Sequence, residues 1–205
     1  MLSIVIGVLV AFQTSPAATQ PVRLVELKPS TDSAEQRKGL RNLSACLAKA
    51  RPRWARETLS HPYLSTAQAS IAAQALAGRD SCVRGAEVDV TFRTSTLVGS
   101  LAEHFIAAGT PSATLNELTG ALATITPLNP SEDFALCVAV RDPATARTLA
   151  LSDPGSETEA KAAAKLTRAI GPCISSGEKP AVELQSLRAL VSVALYRGME
   201  SAAKS

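Results

Sequence analysis

The chain has 205 residues, of which 46% are hydrophobic, 3% aromatic and 19% charged, with a formal net charge of +3. So few rings and so small a net charge exclude a nucleic-acid surface built on base stacking and phosphate neutralisation. Small helix formers dominate and strand formers rarely alternate, which excludes an all-β protein and predicts an all-α fold of close helix contacts.

The chain opens with an apolar run over residues 4–12, nine residues long and too short to span a bilayer. Ser15 and Ala17 supply small residues at the −3 and −1 positions of a cleavage site, so residues 1–17 are expected to be a signal peptide cut after Ala17. The segment before the apolar run carries no Lys or Arg, which keeps retention as a membrane anchor as the competing expectation. Charge interrupts every later apolar run, so no other stretch is a transmembrane candidate. The expected location is periplasmic or secreted.

Residues 18–30 form an extended N-terminal segment that includes VRLVEL at 22–27. Asp32 with Glu35 has capping-box spacing and predicts a helix whose stripe is Leu40, Leu43, Leu47 and Ala50. Pro52 suits the first turn of a short helix over 53–59 that carries Trp54, and His61, Pro62 and Tyr63 break it. Ser65 with Gln68 caps the next helix, which Gly78 is placed to stop. Val88, Val90 and Phe92 alternate with Asp89 and Thr91 as a short strand would. A helix over 94–108 follows, with Leu97, Leu101 and Phe105 on one face, ending at Gly109.

The spacing predicts a connecting helix from Thr110, Pro111 and Ser112 through Leu115, Leu118 and Leu122 to Ile125. Asn129, Pro130 and Glu132 then start a helix in which Phe134 and Val138 stand where Leu43 and Leu47 stood. Asp142 and Pro143 open a short helix to Leu151, and Ser156 with Glu159 caps one that ends at Gly171 and Pro172. The last helix is predicted over 181–197, with Leu184, Leu187, Val191 and Leu195 inward, Gly198 as its stop and a loose tail to Ser205.

The four cysteines give this order its period. Cys46 to Cys82 and Cys137 to Cys173 are both 36-residue intervals, and the second pair lies 91 positions after the first. Matching caps, helix-initiating prolines and apolar faces recur at that offset, which slips to 90 before the final helix. The expected fold is all-α: two pseudo-repeated helical units, 31–109 and 129–198, packed into one compact body and joined by the connector 110–128. Four cysteines behind a signal peptide imply disulfides. Three connectivities exist, and duplication favours Cys46–Cys82 with Cys137–Cys173. No close Cys-x-x-Cys pair supports zinc.

Charge is uneven. Residues 18–110 hold 12 basic and 8 acidic side chains, a net +4, whereas residues 111–205 hold 9 and 10, a net −1. Arg37, Arg41, Arg51, Arg53 and Arg56, with Trp54 among them, are the candidate site for an anionic surface, reached by salt-sensitive attraction. Arg37 and Arg41 can share a helix face, and Arg53 and Arg56 flank the indole. Other chemistry is thin. Ser100 and His104 are four apart on one predicted helix, but Glu103 projects about 100° away from His104, and no third group or oxyanion hole completes a triad. His61 reads as a loop residue before Pro62. The pairs Glu132–Asp133 and Glu157–Glu159 sit at helix starts, where the backbone dipole accounts for them. No phosphate loop or nucleophile elbow occurs, and no cofactor or metal is expected.

Phe134-Ala-Leu-Cys137-Val, Asp142-Pro143, Pro154-Gly155-Ser156, Cys173, Leu187-Arg188-Ala-Leu and Ala194-Leu-Tyr196 together resemble a family of uncharacterised secreted alphaproteobacterial proteins. The likeness covers residues 130–197, with a fainter copy over 40–106 that departs at Val98, opposite Arg188, and at Ile106, opposite Tyr196. The resemblance implies an envelope protein and brings no activity, cofactor or catalytic residue. The expected function is therefore non-enzymatic binding of an envelope partner or anionic surface, with no nucleic acid involved. The alternatives are a carrier of an apolar ligand between the units and an unrecognised hydrolase.

Overall fold

Prolines and side-chain caps set where each helix begins. The computed structural model describes residues 26–77, 81–84, 93–109, 111–174 and 181–204. Their order is β1 (Glu26–Lys28), α1 (Ala34–Ala50), α2 (Pro52–Ser60), α3 (Thr66–Ala77), the single turn α4 (Ser81–Arg84), α5 (Thr94–Ala107), α6 (Leu115–Thr124), α7 (Pro130–Arg141), α8 (Pro143–Leu151), α9 (Glu157–Ile170), a 3-10 turn (Gly171–Cys173), β2 (Ala181–Glu183) and α10 (Leu184–Ala202). The fold is mostly helical. The strand expected over 88–92 and the stop at Gly78 lie outside the described residues.

A residue before proline is pushed out of the helical region. Arg51, at φ −135° and ψ 63°, therefore separates α1 from α2, and Asp142, at φ −147° and ψ 73°, separates α7 from α8. Asp142 also caps α8 by accepting from the Thr145 N–H at 3.0 Å. The α1 cap is Ser33, one residue beyond the expected Asp32. Ser33 Oγ accepts from the Gln36 N–H at 3.1 Å and Gln36 Oε1 from the Ser33 N–H at 2.7 Å, while the Asp32 N–H donates to Ser30 Oγ in the preceding turn. The connecting helix likewise starts later than expected, at Leu115, because Thr114 and Glu117 complete a capping box there.

The end of the chain differs most from the sequence expectation. Ala181–Glu183 is a strand paired in parallel with Glu26–Lys28, in the register Leu27 to Val182. Glu183 fastens that junction: Oε1 accepts from the Thr31 N–H at 3.0 Å and Oε2 from Ser186 Oγ at 3.2 Å. The final helix then runs through Gly198 to Ala202. Gly198 is a packing glycine, since a Cβ there would lie 2.7 Å from Leu118 Cδ1 and 2.9 Å from Leu122 Cδ2.

The core is a single cluster of buried hydrophobic side chains, mostly aliphatic, to which α1 through α10 all contribute. Almost every residue of α10 from Leu187 to Met199 is buried, as expected of a helix with neighbours on all sides. It crosses α5 closely because Gly99 has no side chain: a Cβ there would stand 2.4 Å from Ala189 Cβ.

The disulfides are Cys46–Cys82, joining α1 to α4, and Cys137–Cys173, joining α7 to the 3-10 turn; each has a Cα–Cα distance of 5.7 Å. Two disulfides fit an oxidising extracellular or periplasmic compartment. Among the described residues no helix is long and apolar enough to cross a membrane.

Candidate functional site

The basic stretch divides between the interior and the surface. One stripe of α1 carries Arg37, Leu40, Arg41 and Ser44 inward. Arg37 is 7% exposed and donates from Nη1 to Glu159 Oε1 at 2.6 Å. Arg41 is half-buried; Nη1 donates to Ser152 O at 3.1 Å and to Asp153 Oδ1 at 3.3 Å, Nη2 to Leu151 O at 3.2 Å, and Nε lies 3.5 Å from Glu103 Oε2. Arg51 is half-buried at the proline break. Trp54 is half-buried, and its Nε1 donates to Ile71 O at 2.8 Å, so the indole ties α2 to α3. Only Arg53 and Arg56 of the set are fully outward. The Arg56 guanidinium lies 5.8 Å from the centroid of the Phe105 ring. The six residues do not share one face.

Arg37 and Arg41 instead belong to a buried ionic cluster centred on Arg188, which is 1% exposed. Arg188 donates from Nε to Glu103 Oε1 at 2.6 Å, from Nη2 to Glu103 Oε2 at 3.1 Å, and from Nη1 to Glu159 Oε1 at 2.8 Å. Its Nη2 also reaches Ala150 O at 3.0 Å and Ser152 O at 2.7 Å. Burial pushes the Glu103 carboxyl above its ordinary value, although Arg188 and Arg41 oppose the shift. Burial acts on Glu159 in the same sense, but the Gly155 N–H, Arg37 and Arg188 outweigh it and hold that carboxyl below the usual range. The cluster joins α1, α5, α9, α10 and the turn before α9.

Both oxygens of Glu103 are thus taken up by Arg188. Ser100 is buried, and His104 is half-buried with its ring edge-on to Phe105, the centroids 5.6 Å apart. Burial, then Lys49, lowers the His104 pKa. Among the described residues no cluster of His, Cys, Asp and Glu could hold a metal ion.

A groove of about 450 Å³ opens between α2, α10 and Ile125, just past α6. Leu59, Ile125 and Tyr196 give it an apolar lining, and Arg56, Arg197 and Lys204 bring positive charge. Glu200 answers part of that charge: it accepts from the Tyr196 hydroxyl at 2.9 Å and lies 3.9 Å from Lys204 Nζ. Arg197 is held from behind by Glu132, with Nη1 2.6 Å from Oε2. Counting Glu132, three cations face two carboxylates. Burial and the bond to Glu200 raise the Tyr196 pKa, so its hydroxyl remains a donor. A wider groove of about 560 Å³ beside β2 has the opposite balance, with Arg93 against Asp133 and Glu183.

Sequence reasoning missed Glu103, Glu132, Glu159 and Arg188 as interior charges. Arg188 carried a signal, since it is the one charged residue in a stretch, 186–195, of otherwise apolar and small residues. Glu132 and Glu159 gave none, because helix-start acids are ordinarily solvated; Glu103, within α5 between Ala102 and His104, stands on a helix otherwise buried on most sides. No family model matches this chain, and no curated protein or solved structure shows significant similarity to it.

Proposed function

We propose that this is an exported, non-enzymatic binding protein that holds an amphipathic anion in the groove between α2 and α10. The observation that carries this reading is the pairing of an apolar floor, Leu59, Ile125 and Tyr196, with a rim at which Arg56 and Lys204 are both exposed. A carboxylate, sulfonate or phosphate head would sit at that rim while its apolar body displaces water from the floor. The residue set differs from the sequence candidate, of which Arg56 alone lines the groove. An envelope protein or membrane surface presenting the same headgroup chemistry is the wider class of partner.

Export is part of the proposal. A signal peptide over residues 1–17, cut after Ala17, would deliver the chain to the compartment its disulfides suit. So is the internal duplication. Pro52–Ser60 and Pro143–Leu151 begin and end 91 residues apart, and Thr66 and Glu157 begin their helices at the same offset. The turns before those helices share a left-handed residue, Leu64 at φ 64° and Gly155 at φ 80°. They share one hydrogen bond as well, Leu64 N–H to Gln68 Oε1 at 3.0 Å and Gly155 N–H to Glu159 Oε2 at 2.7 Å. These correspondences support two units, 31–109 and 129–198, and put the groove where α2 of unit one meets α10 of unit two.

The test is fluorescence titration with anilinonaphthalene sulfonate, followed by competition. Laurate and dodecyl phosphate are expected to displace the probe and dodecanol is not. Arg56→Ala should weaken probe binding by about tenfold, the loss of one charge-assisted contact, and added salt should weaken it further. Equal displacement by dodecanol, or unchanged affinity in Arg56→Ala, overturns the reading.

A further inference from the structure

The contact between the two units is not symmetric in chemistry, although it is close to symmetric in position. Gly99 and Ala189 hold equivalent places, each two residues after a fully buried leucine, Leu97 and Leu187. They face each other where α5 crosses α10, at a distance that admits no second Cβ. Equivalent residues meeting in this way mark a local twofold axis. On either side of it, the first helix of each unit reaches the turn of the other. Arg41, five residues before Cys46, donates to Leu151 O and Ser152 O. Glu132, five residues before Cys137, accepts from the Tyr63 N–H at 2.8 Å, and Asn129 Nδ2 donates to Tyr63 O at 2.7 Å.

We infer that this interface is directional: the inner face of each unit accepts the other unit and rejects its own kind, so any dimer of this chain through this face forms by exchange, unit one of one copy against unit two of the next. The inference rests on the duplication proposed above. Unit two against itself would bring buried Glu132 to Pro154, the counterpart of Tyr63, which has no N–H to donate. It would also set Ala189 against Ala189 where only Gly against Ala fits. Unit one against itself would bring buried Arg37 to Gln68, the counterpart of Glu159, and so replace a carboxylate with a neutral amide. Each self-pairing removes a partner that the cross-pairing supplies: Arg37 loses its counter-charge, and Glu132, which keeps Arg197 within its own unit, loses the N–H that Oε1 accepts; penalties of that kind are how an interface rejects a wrong partner.

The test uses the full chain with a protease site inserted between Gly109 and Ser112. It is folded and oxidised first, then cut, so that each unit keeps its own disulfide. Isotopically light and heavy samples are mixed at the urea midpoint, diluted to native conditions and weighed by native mass spectrometry. The expected result is unit one with unit two in every isotopic combination, and like-with-like pairs at under about 1% of the cross pairs. In the Glu132→Gln/Ala189→Gly form, unit-two pairs should rise at least about tenfold. Like pairs in comparable amounts, from folded units, overturn the directionality and leave the duplication standing. Units that lose their helical circular dichroism on separation and never re-pair show that no free inner face selects a partner, and overturn the inference while leaving the duplication standing.

Discussion

Replacing Arg188 with Met tests whether the buried cluster holds the helices in place. Methionine preserves most of the apolar contact of the long side chain and removes only the charge and its donors. Glu159 would keep Arg37 at 2.6 Å and the Gly155 N–H at 2.7 Å. Glu103 would be left with Arg41, whose Nε lies 3.5 Å away, while remaining almost wholly buried. Stranding one buried charge costs about 3–5 kcal/mol. Releasing the Ala150 and Ser152 carbonyls adds about 1 kcal/mol after partial rehydration. A loss of about 4–6 kcal/mol would consume roughly half the stability of an ordinary domain. The assay is urea unfolding followed by far-UV circular dichroism without reductant. Arg188→Met/Glu103→Met should recover at least about 2 kcal/mol of the loss, because removing both partners leaves no stranded charge. Without Arg188 the Glu103 carboxyl is raised further, so its protonation becomes the relief. The destabilisation is fully present above the folded pKa and shrinks as pH falls through it, and should therefore be smaller at about pH 5 than near neutrality. A single variant within about 0.5 kcal/mol of the wild type, or a double variant no better than the single, refutes the reasoning.

Three further outcomes follow from local geometry. Leu64 is 56% exposed and holds φ 64°, a conformation that costs a non-glycine residue about 1 kcal/mol, so Leu64→Gly should raise stability by about 0.5–1 kcal/mol in the same urea assay. Gly99→Ala adds a methyl where Ala189 stands 2.4 Å away and should cost about 1–3 kcal/mol through separation of α5 and α10; Gly120→Ala, with open space around it, should cost nothing measurable. Each disulfide closes a 36-residue interval, so the Cys137→Ser/Cys173→Ser pair should lower stability by about 4 kcal/mol, read from urea unfolding as a lower extrapolated stability with a steeper slope, because the uncrosslinked denatured chain exposes more surface.

The helices were legible wherever the signal was local. Caps at Asn129 and Ser156 and prolines at 52 and 143 need only neighbouring residues to be interpreted, and the helices lie where those signals place them; the disulfides follow the equal cysteine intervals. Errors arose where a residue's role depended on something distant. Gly198 resembled a helix stop, yet its missing side chain admits Leu118 and Leu122 from another helix. Ala181 to Glu183 fitted the onset of the last helix, but residues 26–28 recruit it as a strand. Arg37 and Arg41 read as a solvated basic face because their carboxylate partners lie 122 and 62 residues further along the chain. The groove was illegible for the same reason: Arg56, Ile125 and Lys204 are brought together only by tertiary packing.

Under the proposed duplication, the position of Arg188 follows from a single change of side chain at the turn before α9. In the earlier turn Gln68 is 2% exposed and does two jobs: its Oε1 accepts from the Leu64 N–H, and its Nε2 donates to Thr58 O at 3.1 Å and His61 O at 3.3 Å. In the later turn Glu159 takes the same place and accepts from the Gly155 N–H, but a carboxylate has no hydrogen to give. Ser152 O, the counterpart of His61 O, then needs a donor from elsewhere, and the carboxylate needs a counter-charge. One guanidinium supplies both, which is why an arginine stands at 188 while its counterpart Val98 is a fully buried valine. Once charged, that arginine reaches beyond the turn to Glu103 on α5, and the local repair becomes a tie across the core. A glutamine at 159 with a valine at 188 would rebuild the neutral turn but strand Glu103 and Arg37. Glu159→Gln/Arg188→Val should therefore be less stable than Glu159→Gln/Arg188→Val/Glu103→Leu/Arg37→Leu by at least about 2 kcal/mol, and equal stability would show that the tie across the core contributes nothing.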